Sequence, residues 1–112
     1  MAKSISTIWM YRDGEIATVD YNEYTHRFEL TYHQRVLAHD LCRVEVIKKA
    51  QRQQFKLDDQ PIQFFNSQGV CAEMRLNPYL NIWSLVAENV ELATAKTKLD
   101  IISIAESTFG FE

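Results

Sequence analysis

Hydrophobic and polar residues alternate on both sides of an Asp13-Gly14 pair near the start of the chain. Asp-Gly between two runs of β-branched and aromatic residues is the preferred chemistry of a two-residue hairpin turn with positive φ at both positions. The predicted hairpin spans Ile5 to Tyr21 and places Met10 opposite Ala17. One face carries Ile8, Met10 and Val19, and the other carries Trp9, Tyr11 and Ile16.

Two further alternating segments predict more strands. Arg27 to His33 alternates, with Phe28, Leu30 and Tyr32 on one side, which completes a three-stranded meander. Later in the chain, Ile62 to Phe65 and Val70 to Leu76 flank a polar turn, which predicts a second hairpin.

The segment from Arg35 to Lys56 contains no Gly or Pro, and its apolar residues recur at spacings of three and four. This spacing predicts a helix whose apolar stripe includes Leu37, Leu41, Val44 and Ile47. The alternative is that Arg35 to Ala38 extends the third strand and Arg43 to Lys48 forms a separate strand.

Asn77-Pro78 has the chemistry of a helix start, with Asn as the cap and Pro in the first helical position. Leucines then follow at intervals of seven, which predicts one long helix or two consecutive ones over 78–107, with a break near Thr94 to Thr97. In the alternative, Leu99 to Ala105 is a strand. The leucines are Leu85, Leu92 and Leu99.

These elements predict an α+β fold, an antiparallel sheet of three to five strands with two or three helices in the order βββ-α-ββ-α. A chain of 112 residues can bury about two thirds of its unfolded surface in one core. We find neither an internal repeat nor a linker in the sequence, and we therefore predict a single domain over residues 1–112.

Composition is that of an ordinary globular protein, with 46% hydrophobic and 24% charged residues and a net charge of −3. Residues 35–56 are an exception, because six basic and two acidic groups give them a charge of +4 (6 − 2). Met1-Ala2-Lys3 does not begin a secretory signal, and no apolar run is long enough to span a membrane. We expect a cytoplasmic protein.

Residues that could carry out chemistry are sparse. His33, His39, Asp40 and Cys42 lie close together in the sequence, but no CxxC or second ligand pair accompanies them, so we expect no metal and no cofactor. Cys42 with His39 is a thiol–base combination, yet no GxSxG or phosphate loop is present. We predict that the protein is not an enzyme, with a small enzyme of unknown class as the second alternative.

Both faces of the first hairpin carry large apolar side chains, and one layer of helices can cover only one of them. Because large exposed apolar patches usually mark interfaces, we predict a non-catalytic protein-binding or accessory module that forms a homodimer. The expected contact residues are Trp9, Tyr11, Ile16, Arg43, Lys48, Lys49 and Arg52. The first alternative is a nucleic-acid-binding protein that uses the basic segment 35–56 and the sheet aromatics.

Overall fold

A computed structural model of the chain describes residues 5–112. Within this range the chain divides into two compact units: the N-terminal unit, Thr7–Asp58, and the C-terminal unit, Asp59–Glu112 with Ile5 and Ser6. The single domain expected over 1–112 stays a prediction. Met1-Ala2-Lys3, on which the expectation about a secretory signal depends, lies outside the described residues. No helix of the described chain is long and apolar enough to cross a membrane.

The N-terminal unit is a five-stranded antiparallel sheet with one helix. Its strands lie in the order β4-β3-β2-β1-β5. The elements are β1 Ile8–Arg12, β2 Glu15–Asn22, β3 Arg27–Tyr32, β4 Arg35–Asp40, α1 Arg43–Arg52 and β5 Lys56–Leu57.

The predicted first hairpin is confirmed in turn and register. Asp13 and Gly14 have φ values of 53° and 78°, and Met10 pairs with Ala17. Helix α1 packs on β2, β3 and β4, and the side chains on that face of the sheet form the core with it. The buried sheet residues are Ile8, Met10, Ala17, Val19 and Leu30, and α1 contributes Val46, Ile47 and Ala50.

The helix predicted from Arg35 begins only at Arg43. His33 and Gln34 have φ values of 50° and 64°, so the chain turns there and returns as β4 beside β3. The alternative is correct in that Arg35 to Ala38 are extended, because pairing with β3 outweighs a helical spacing of leucines. These residues do not extend the third strand but begin a new one, and the separate strand proposed for Arg43 to Lys48 is wrong, since those residues are helical. Leu41, assigned to the apolar stripe, is 69% exposed in the connection to α1.

The C-terminal unit is a four-stranded antiparallel sheet, in the order β6-β7-β8-β9, with one helix. Its elements are β6 Ile62–Phe65, β7 Cys71–Asn77, β8 Ile82–Ala87, β9 Val90–Ala95 and α2 Lys98–Phe109. The predicted second hairpin is confirmed as β6 and β7. The buried residues here include Phe64, Ala72, Met74, Trp83, Leu85, Ile101, Ile102, Ala105 and Phe111.

The long helix predicted over 78–107 is wrong for its first 20 residues. Leu85 lies in β8 and Leu92 in β9, with a turn between the two strands at Glu88 and Asn89, whose φ values are positive. Only Leu99 is helical. The three leucines lie in three different elements, so their spacing of seven does not reflect a helix. Helix α2 begins where we expected a break, with the Thr97 hydroxyl accepting the Asp100 N–H at 3.1 Å.

The α+β class and the order strands, helix, strands, helix are confirmed, although residues 5–112 form nine strands in two sheets where a single sheet was expected. The two units also repeat one another. A displacement of 55 residues (77 − 22) aligns Asn22 with Asn77 and each strand and helix from there to the end of α1 with its counterpart. The statement that the chain has no internal repeat is therefore wrong for the structure. The sequence conceals the repeat because few aligned residues are identical.

Candidate protein-binding surface

The sheet of the N-terminal unit has one face that α1 does not cover, which we call the open face. A row of uncharged side chains crosses its middle, because Trp9 pairs with Thr18, Thr18 with Thr31, and Thr31 with Val36. Next to this row, Tyr11 pairs with Ile16. The sequence alternation that buried Ile8 and Met10 therefore places the predicted anchors Trp9, Tyr11 and Ile16 together on the opposite side.

These side chains are accessible to a partner. Trp9 is 49% exposed, Ile16 is 53% exposed and Val36 is 49% exposed, so three large apolar side chains of one face are accessible together. Tyr11 is half-buried. Loss of solvent around its hydroxyl, followed by the neighbouring Asp58 carboxylate, raises the pKa of the Tyr11 phenol, so it stays a neutral hydrogen-bond donor at physiological pH.

Charged groups lie at the ends of the open face. Asp20 pairs with Glu29 across β2 and β3, and the Glu29 carboxylate accepts a hydrogen bond from Asn22 at 3.0 Å. The Asp20 carboxylate accepts a hydrogen bond from the Thr7 hydroxyl. Lys56 lies beside Tyr11 at the other end. The result is an uncharged centre with a charged rim, in which Arg27 lies on the same face and at the same end as Asp20 and Glu29.

The predicted basic residues do not join this surface. Lys48, Lys49 and Arg52 belong to α1, which covers the other face of the sheet. Lys48 contacts Glu45 at 3.4 Å, and Lys49 contacts Asp40 at 3.2 Å. The two halves of the predicted contact set thus lie on opposite sides of the unit.

Arg43 is a correction, because we expected it at the surface and it is completely buried. Its guanidinium lies over the Phe28 ring at 5.2 Å, and its counterpart Lys98 lies over the Trp83 ring at 5.3 Å. Each unit therefore begins its helix with a buried cation stacked on an aromatic residue of the third strand, a contact that stabilises the fold. The sequence could have indicated this role only after the two units were aligned.

Sequence reasoning also missed a polar cluster at the end of the first hairpin. The Arg12 guanidinium lies 4.8 Å from the centre of the Tyr32 ring and 4.2 Å from that of Phe55, at one wall of an open cleft of about 650 Å³. Tyr32 donates a hydrogen bond to Glu15 at 2.6 Å, and His33 also contacts this carboxylate. These two contacts, Tyr32 first, lower the pKa of Glu15.

The candidate metal ligands do not form a metal-binding group in the described chain. Among residues 5–112, no three His, Cys, Asp or Glu side chains form a group that could hold a metal ion. The His39 ring contacts Arg27 at 3.4 Å, while Asp40 accepts the main-chain N–H of Cys42 at 3.1 Å. This hydrogen bond, followed by the one from Lys49, lowers the pKa of Asp40.

Comparison with protein-family models, with curated proteins and with solved structures finds no match to this chain.

Proposed function

We propose that the protein is a non-catalytic binding module that holds another protein against the open face of its N-terminal unit. The observation that carries this proposal is the half-exposed Trp9, which ends an uncharged row across the open face and has Tyr11 and Ile16 beside it. Protein–protein interfaces are rich in Trp and Tyr at the centre, poor in charge there, and polar at the rim. The open face has this arrangement.

Trp9 is the expected energetic centre of the contact, with Tyr11 and Ile16 beside it. Residues whose removal costs most in an interface are typically Trp, Tyr and Arg in the middle of the patch, surrounded by residues that exclude water. Thr18 lies next to Trp9 along the row, and Thr31 follows it on the next strand; both would form part of that surround.

A protein partner fits this surface better than nucleic acid does. Phosphate binding requires Lys or Arg along the path of the backbone. On the open face the cations Lys56 and Arg27 are matched by the carboxylates of Asp20 and Glu29, so no row of cations follows the aromatics. Lys48 and Arg52 lie on the helix side of the unit. These two exposed cations would serve a separate contact with an acidic partner.

The experiment is a capture from native cells in three parallel arms. The baits are the natural chain, Trp9→Ala, and Tyr24→Ala as a matched loss of an exposed aromatic outside the open face, since Tyr24 is 96% exposed. We expect a protein that the natural chain and Tyr24→Ala retain and that Trp9→Ala loses. The captured protein is then produced alone, and calorimetry should show Kd raised by about 30-fold or more for Trp9→Ala, as for a hot-spot residue.

Folding of the variant is checked directly. The circular dichroism of Trp9→Ala should match that of the natural chain; this measurement is needed because Trp83, the tryptophan left in the variant, lies in the C-terminal unit and does not report on the unit that carries Trp9. A duplicate treated with nuclease distinguishes the nucleic-acid alternative. If no protein is lost specifically with Trp9→Ala, or if the retained material is nuclease-sensitive, the proposal is wrong. Unfolding of Trp9→Ala would show that Trp9 is a core residue and would also refute it.

A further inference from the structure

We propose that two copies of the chain pair through strand β9, which joins their C-terminal sheets into one continuous antiparallel sheet. This inference is independent of the open face and concerns a different unit. A sheet edge presents main-chain N–H and C=O groups without partners, and proteins normally protect such edges. The described chain has four sheet edges, formed by β4, β5, β6 and β9.

The edges formed by β5 and β6 cannot accept a further strand, because β5 is very short and the main-chain groups of β6 are already paired. Strand β5 has only two residues, Lys56 and Leu57. Along β6, the Phe65 N–H and C=O both pair with Glu112, at 3.0 and 2.8 Å. The Gln63 carbonyl accepts the Ser6 hydroxyl at 2.7 Å. Neither edge offers a free row of main-chain groups.

Strand β4 is protected by the side chains of Lys49 in α1 and of Gln53, the residue that follows this helix. Lys49 donates to the His39 carbonyl at 2.9 Å, and Gln53 donates to the Leu37 carbonyl at 3.2 Å. These contacts also show that both carbonyls point outward from the sheet. Side-chain donors thus occupy the acceptors that a further strand would use.

Strand β9 occupies the same place in the C-terminal unit without this protection. The counterparts of Leu37 and His39 are Leu92 and Thr94, and no hydrogen bond to either carbonyl occurs in the described chain outside the sheet ladder. Displacement by 55 residues places Ile104 and Thr108 where the N-terminal unit has Lys49 and Gln53. Ile104 cannot donate a hydrogen bond, so the device that closes β4 is absent from β9.

The composition of β9 also favours pairing. It contains neither Lys nor Pro, and Glu91 is its only charged residue. Val90 is 56% exposed, and the half-buried Ile104 is the apolar residue of α2 at the place of Lys49. The bulge between Leu85 and Val86 has its counterpart at β4, so it does not distinguish the two edges.

A second copy is the occupant that matches this edge. A two-fold axis through Ala93 sets Leu92 of one chain opposite Thr94 of the other. The outward N–H and C=O groups of Leu92 then face the outward C=O and N–H groups of Thr94 in the second copy. The same axis sets Glu91 opposite Ala95, and the two carboxylates do not face one another. The dimer would present two open faces, which strengthens binding to any partner with two matching surfaces.

The first variant is Thr94→Pro. In an antiparallel ladder the N–H and C=O of one residue point to the same side, so the N–H of Thr94 points outward, as its carbonyl does by analogy with His39. Proline there removes no hydrogen bond to β8 but blocks an added strand. The second variant, Ile104→Lys with Thr108→Gln, transfers the donors that protect β4 to α2. The matched control is His39→Pro, at the same place on the protected edge.

Sedimentation velocity over a range of concentrations should show a dimer for the natural chain and for His39→Pro. Thr94→Pro should raise the dimer Kd by about 30-fold, the change expected for two lost main-chain hydrogen bonds, one from each chain. The double variant, which occupies two acceptors in each chain, should raise the Kd at least as much. In the natural chain, the Thr94 amide should exchange more slowly as dimer forms. A natural chain that is monomeric throughout, or a dimer that persists in the double variant, would overturn the proposal. If Thr94→Pro fails to fold by circular dichroism, the double variant decides. None of these outcomes bears on Trp9-dependent partner binding.

Discussion

Leu85→Ala tests the placement of β8 in the core of the C-terminal unit. Leu85 has no exposed surface and lies between Met74 and Ala93 in the sheet register. Removing three carbons costs about 2.4 kcal/mol of transfer free energy, at about 0.8 kcal/mol for each methylene. The cavity left behind adds to this, as in other buried Leu→Ala substitutions, so we expect a loss of about 3 to 4 kcal/mol in the free energy of unfolding.

Urea unfolding followed by tryptophan emission measures this loss. In a Trp9→Phe background the remaining Trp83 is 4% exposed and reports on the C-terminal unit. With an m-value of about 2 kcal/mol/M, Leu85→Ala should lower the urea midpoint by roughly 1.5 to 2 M. Val90→Ala, at an exposed position of β9, is the control and should change the free energy of unfolding by less than about 0.5 kcal/mol.

A loss below about 1 kcal/mol for Leu85→Ala would contradict the reasoning, because a fully buried leucine cannot be removed so cheaply. Leu30→Ala makes the same change at the equivalent position of the N-terminal unit. If residues 1–112 unfold as the single domain expected from the sequence, Leu30→Ala should lower the Trp83 midpoint as well. An unchanged Trp83 midpoint would refute that expectation.

Two smaller predictions concern local hydrogen bonds. The side-chain carbonyls of Asn22 and Asn77 accept main-chain N–H groups in equivalent turns, at 2.9 and 3.0 Å. Replacing either residue by Ala should lower the free energy of unfolding in urea by about 1 kcal/mol, whereas Asp, which keeps the acceptor, should be tolerated. Ala variants as stable as the natural chain would contradict this role. Tyr32→Phe should raise the pKa of Glu15 in an NMR titration, because it removes the main contact that lowers this pKa. The pKa of Glu15 is lower in the folded chain than in the unfolded one, so ionised Glu15 stabilises the fold. This stabilisation is complete above the unfolded pKa and is lost as the pH falls through the folded pKa. In Tyr32→Phe the free energy of unfolding should depend less on pH in this range. A pKa of Glu15 unchanged in the variant would show that Tyr32 does not set it.

The sequence by itself determined those local elements whose residues favour a single conformation. Asp13-Gly14 specified the first turn because both central positions need positive φ, and alternation then specified which side chains share a face. That alternation placed Trp9, Tyr11 and Ile16 together, so this part of the candidate surface was predictable. The second hairpin was predicted for the same reason.

Tertiary structure decided the segments whose apolar spacing suits both a helix and a strand. Residues 35–40 and 82–95 form strands because each can pair with a neighbour already in the sheet, and pairing outweighs a spacing of three, four or seven. The same pairing set α1 on one face and left the other face of the sheet open. It also buried Arg43 over Phe28, which no pattern of charges along the chain could distinguish from a solvated arginine.

The repeat illustrates the difference most clearly. Leu30 and Leu85 have the same place in two sheets, but only strand pairing identifies them as equivalent, because most aligned positions differ. The sequence specifies Lys49 at one helix position and Ile104 at its counterpart. Only the tertiary structure shows which strand lies beside each residue, and therefore which sheet edge has its carbonyls occupied. Local chemistry therefore determined the turns and faces of this protein, and long-range pairing determined which faces and edges remain open.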